Sequence, residues 1–67
     1  MIPKVFIHLK TGNEYLVLHR GVINATNAQD GEQMVLYTPY TKNPGHNPWY
    51  VREETEFDTK FKEKDNG

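Results

Sequence analysis

The chain has 67 residues, 8 Lys plus Arg against 9 Asp plus Glu, a formal charge of -1 and no cysteine. That length holds one small domain, expected over 1–62 with a charged tail at 63–67 that frays, and its core buries only about 60% of the surface the unfolded chain exposes. The charge balance excludes DNA binding by phosphate neutralisation alone, although a local basic patch stays open, and the missing cysteines exclude a disulfide framework or a thiolate metal site.

The N-terminus, MIPKVFIHLK, lacks a long apolar run followed by small residues, and no stretch nears the roughly 20 apolar residues of a membrane span. A cytoplasmic protein with no membrane partner is the expectation. Lys4 to Leu9 alternates, Val5, Ile7 and Leu9 on one face and Phe6 and His8 on the other, which is the period of a half-buried strand. The turn KTGN follows, with Gly12 free to take positive φ. Glu14 to Ile23 is rich in β-formers on both faces, as a central strand is, and Gly21 marks a bulge that would bend it.

Between that strand and the next lies NATNAQDG, a polar run with a single charge. Asp30-Gly31 is a turn signal, because Gly adopts the left-handed region cheaply and Asp bonds nearby amides. The preceding Asn and Thr side chains either satisfy their own backbone or face a ligand. EQMVLYT, 32–38, reads as a third strand with Met34 and Leu36 opposite Val35 and Tyr37. The segment from Pro39 to Pro48 carries too many prolines for helix or central strand. WYVR resumes strand character, with Trp49 and Val51 on one face, Tyr50 and Arg52 on the other, and Trp49, the single tryptophan, expected in the core. At the C-terminus Thr55 is the expected cap of a short helix. Phe57 and Phe61 share its apolar side, while Glu56/Lys60 and Asp58/Lys62 stand at i, i+4. The fold these elements predict is mainly β: a strongly bent antiparallel sheet of four or five strands with a short C-terminal helix.

IHLKTGNEYLVL, ATNAQDGEQMVLY and YVREETEFDTKF together resemble domain-of-unknown-function family 1653, small bacterial and phage proteins, and its phage-borne members in particular. The resemblance covers nearly the whole chain and falls on His8, Lys10, Gly12, Met34, Val35, Tyr37, Tyr50 and Arg52. This chain departs from the family in having Ile7 where many members have Arg, Glu53 where many have Pro, and a longer segment from Pro39 to Pro48. The resemblance implies an SH3-like barrel, an origin in a phage or prophage and no established activity.

The residues themselves argue for binding over catalysis. There is no serine or cysteine and no Gly-rich phosphate loop, and the carboxylates fall mainly in turns or on the helix, where solvated charge is the ordinary case. No cofactor is implied. If the first, second and last strands are neighbours, His8, Lys10, Arg20 and Arg52 gather near Tyr37 and Tyr50, placing cationic donors beside flat rings. With Asn24 and Asn27 from the polar loop, this gives a candidate ligand site of His8, Lys10, Asn24, Asn27, Tyr37, Tyr50 and Arg52. The expected function is that of a binding module for a host protein or a nucleotide-like anion. The plainer alternative makes Tyr37 core and pairs Arg52 with Glu53 or Glu54. Two rival functions stand beside it: a small metal-dependent hydrolase around His8 and Asp30, drawing on His19, His46 or Glu14, and a ligand-free homo-oligomer, such as a homodimer, paired through exposed strand edges.

Overall fold

Strands β1 (Lys4–His8), β2 (Glu14–Asn24), β3 (Glu32–Pro39), β4 (Tyr50–Glu53) and β5 (Phe61–Glu63), with helix α1 (Glu54–Lys60) between the last two, form the computed structural model, which describes residues 4–25, 31–41 and 46–64. All pairings are antiparallel and the order is β4-β3-β2-β1-β5, a single sheet of 5 strands curled into a half-barrel. β2 is central, as its two apolar faces require. Its register against β3 shifts between Val17 and His19 and again between Arg20 and Val22. Gly21, at φ 75°, sits in the second irregularity, so the bend lies where the glycine predicts it. The β2–β3 hairpin closes where the Gly31 amide donates to the Asn24 carbonyl at 2.7 Å, with Gly31 at φ 90°.

Alternation decides which side chains meet the helix. Phe6 lies opposite Tyr15, Val17 opposite Tyr37, and Tyr37 opposite Tyr50, so these residues share the concave face. Phe6, Val35, Tyr37, Phe57 and Phe61 are buried there, with Tyr15 and Val17 packed against them. Phe57 and Phe61 stack at 4.2 Å and 5°. A helix of 7 residues is marginal alone, so burial of these two rings, worth roughly 1.5–3 kcal/mol each, is what holds it to the sheet.

Several expectations are overturned. Trp49 is 68% exposed, because four ring residues already fill the concave face and Trp49 precedes β4 rather than pointing into it. Leu9, Ile23 and Val51 also remain exposed. The helix is capped by Glu53, not Thr55; its carboxylate accepts from the amides of Thr55 (2.7 Å) and Glu56 (3.1 Å), which it reaches because Glu53 still has the extended backbone of β4. The helix acids pair with arginines of the sheet rather than with Lys60 and Lys62. Fraying does not begin at residue 63: Phe61–Glu63 form an edge strand on β1, and the Lys64 amide donates to the Val5 carbonyl at 2.8 Å. Lys64 Nζ also reaches Glu14 Oε2 at 2.8 Å, which raises the lysine's pKa.

Of the proline-rich segment, Pro39 closes β3, and 42–45 lie outside the described residues. The rest is tied back to the sheet: Thr38 Oγ1 donates to the Pro48 carbonyl at 2.8 Å, and Asn47 Nδ2 donates to the Pro39 carbonyl at 3.0 Å. Among the described residues no helix is long and apolar enough to cross a membrane.

Candidate functional site

Two arginines hold the helix from opposite sides. Arg20, opposite Val35 in the β2–β3 register, donates to Asp58 Oδ1 at 2.8 Å, stands 3.7 Å from Glu54 Oε2, and lies over the rings of Phe6 and Phe57 at 5.5 and 5.6 Å. The hydrogen bond to Asp58 is the main cause of its raised pKa. Arg52, opposite Val35 on β4, donates through Nε to the Tyr37 hydroxyl at 3.2 Å and through Nη1 to Glu56, with its guanidinium 5.7 Å from the centre of the Phe61 ring. Those bonds, Tyr37 first, raise its pKa and turn two of the guanidinium's donors inward. The plainer alternative therefore holds for Tyr37, which is core, and for Arg52 in kind, with Glu56 in place of Glu53 or Glu54. Arg20 is drawn off to the other flank of the helix and does not join the cleft.

At the end of β1, His8 is fixed on three sides. Its amide donates to the Asn13 carbonyl at 2.8 Å, its ring meets Phe61 edge-on at 4.8 Å, and Thr11 Oγ1 lies 3.2 Å from Nδ1. Thr11 Oγ1 also accepts the amide of Asn13 at 3.3 Å, so one hydroxyl links the backbone of the turn to the His8 ring. Gly12, at φ 79°, returns its amide to the His8 carbonyl at 2.7 Å and makes the turn that holds Lys10 out from the sheet.

These residues frame two adjoining cavities. One, of about 260 Å³, is lined by His8, Thr11, Tyr15, Tyr37, Tyr50, Arg52 and Phe61. The other, of about 580 Å³, is lined by His8, Leu9, Lys10, Arg52, Thr59 and Lys60. His8 and Arg52 border both, with Phe61 between them. Five predicted site residues thus meet: His8, Lys10, Tyr37, Tyr50 and Arg52. They do not meet through neighbouring strands as expected, because β4 pairs with β3 rather than with β1. The curl of the sheet carries β4 across to the β1 end of the concave face.

Asn24 is not part of this cluster. It pairs with Glu32 at the far end of β2, ten residues from Glu14, or on the order of 30 Å along an extended strand. Asn27 and Asp30 lie outside the described residues. Residues outside the predicted set, Leu9, Thr11, Tyr15, Thr59, Lys60 and Phe61, complete the lining. In the sequence Lys60 is legible only as the i, i+4 partner of Glu56; the backbone bond from the Leu9 amide to its carbonyl, 3.0 Å, is what brings it beside Lys10. Lys10 and Lys60 make no ion pair with any described residue. Among the described residues no carboxylate lines either cavity, and no three His, Cys, Asp or Glu stand close enough to hold a metal ion. The arrangement offers cationic and hydroxyl donors beside rings, which is binding chemistry.

Comparison with known protein families, curated proteins and solved structures finds no match to this chain.

Proposed function

We propose that the protein is a binding module without catalytic activity, taking an anionic ligand with a flat portion in the cleft between β4 and the junction of β1 with α1. The observation that carries this reading is the meeting of Lys10 and Lys60, neither engaged by a described acid, with the Tyr50 ring, 45% exposed, along two joined cavities. A lysine pair with uncommitted charge attracts an anion, and an exposed ring beside it stacks a planar group. The curled sheet of 5 strands supports the SH3-like reading; the relation to family 1653, an origin in a phage and a place of action in the host cytoplasm belong to the same proposal and rest on the sequence resemblance.

Titration with pyrophosphate, followed by amide chemical shifts, tests the reading. Shifts gathered at Lys10, Lys60 and His8 that weaken as salt rises are expected. Shifts that are absent, or scattered over all lysines, would remove the cleft as a site.

A second reading, the ligand-free homo-oligomer, draws on the opposite face of the sheet. Val5 opposite Leu16 and Leu36 opposite Val51 lie on the side away from the helix, with the exposed Trp49 beside them. Light scattering across a concentration series addresses it: mass rising above the 7.8 kDa monomer supports association, and a constant 7.8 kDa excludes it.

A further inference from the structure

We infer that the ligand of the cleft is a nucleoside 5′-monophosphate, with its phosphate on Lys10 and Lys60 and its base on Tyr50. This rests on the anion-binding reading above and narrows it to a ligand class.

The division of the cleft supports the assignment. Rings line the smaller cavity, lysines and the Thr59 hydroxyl line the larger, and His8 and Arg52 stand where the two join. A ligand that satisfies both has a flat end, an anionic end and a polar section between them. Inorganic phosphate leaves the ring side unused; a nucleoside leaves both lysines without a counter-charge. The smaller cavity, about 260 Å³, lies below the usual range for drug-sized pockets, roughly 300–1,000 Å³, and suits one ring system. Tyr37 lies 5.6 Å behind Tyr50 and is held by Arg52, so the stacking surface is backed by fixed structure. The His8 ring adds a polar edge at the junction, where a ribose or phosphate oxygen would pass.

A mononucleotide is favoured over a strand. Non-specific single-strand binders run a basic groove along several nucleotides with successive stacking platforms. Here the net charge is -1 and Tyr50 is the one ring of the aromatic cavity exposed beyond a third of its surface.

Titration calorimetry on the full chain with AMP, adenosine, inorganic phosphate and an oligothymidylate tests the inference. AMP is expected to bind about tenfold or more tighter than phosphate or adenosine. Lys10→Ala and Lys60→Ala should each weaken AMP by about fivefold to tenfold, most strongly at low salt. Tyr50→Leu, which keeps apolar bulk on β4, should weaken AMP about tenfold and leave phosphate binding unchanged, with circular dichroism confirming the fold. If AMP binds no better than phosphate, the nucleotide class is wrong and the anion site stands. If neither AMP nor phosphate binds, both the class and the underlying reading fall. An oligothymidylate that binds more tightly per nucleotide than AMP overturns the mononucleotide in favour of a strand.

Discussion

Arg52 Nε donates to the Tyr37 hydroxyl at 3.2 Å, joining β4 to the buried ring around which the helix and the rest of the core are arranged. The same guanidinium bonds Glu56 of the helix, so one side chain ties strand, core and helix together. Arg52→Ala is therefore expected to lower stability, by about 1 kcal/mol for the bond to Tyr37 and less for the more exposed pair with Glu56. Tyr37→Phe removes the first bond alone, and a double-mutant cycle on urea midpoints should show the two changes to be non-additive. Full additivity would mean that the bond contributes nothing in solution.

Phe57 has no exposed surface and touches Phe6, Tyr37 and Phe61. Phe57→Ala is expected to cost about 3–5 kcal/mol, against a total on the order of 5 kcal/mol for a domain this size. The variant should be largely unfolded by circular dichroism at 25 °C. Trp49→Ala, at the opposite extreme of exposure, should stay within about 0.5 kcal/mol of the parent. The fluorescence of Trp49 should be quenched by iodide in the folded protein nearly as well as in urea. A protected tryptophan would contradict its position outside the core.

Gly21 takes φ 75° at a register shift of the central strand, and a Cβ there would meet nothing within 4 Å. The cost of a side chain is thus a backbone cost. Gly21→Ala should destabilise by about 1 kcal/mol and Gly21→Asn by less, since Asn tolerates the left-handed region. Equal melting temperatures for the two variants would place the bend elsewhere.

The strands were legible because apolar alternation is a local property, and so was the bulge, because only glycine relieves positive φ cheaply. Alternation does not say which face is covered: Val5 and Ile7 look as suitable for a core as Phe6, and the choice was made by Phe57 and Phe61 arriving from the far end of the chain. Phe61 was read as helical from its i+4 spacing, which is correct for the shared apolar side. The three residues of β5 carry no period long enough to show that Phe61 also opens an edge strand. Being the single tryptophan does not place Trp49 in the core, because Phe6, Tyr37, Phe57 and Phe61 already fill it. For the site, residue types were readable and their assembly was not. His8, Lys10, Tyr50 and Arg52 meet through the curl of strands that do not pair, whereas Asn24, close to Arg20 in sequence, is carried to the other end of β2.

Glu53 caps the helix by accepting the amides of Thr55 and Glu56, and the bond from Thr55 is the main cause of its lowered pKa. A carboxyl whose pKa is lower in the folded than in the unfolded chain contributes stability that is fully present above the unfolded value, about 4.3 for Glu, and is lost as pH falls through the folded value. The melting temperature should therefore drop below roughly pH 4.3 by more in the parent than in Glu53→Gln, whose neutral side chain has no charge to lose. At neutral pH the parent should melt higher, because a carboxylate at the first turn also opposes the positive end of the helix and an amide does not. Melting curves of the two proteins should converge on acidification. Parallel curves, with the same gap at every pH, would show that the cap works by shape and hydrogen bonding alone and that the Glu53 charge is solvated in the folded protein.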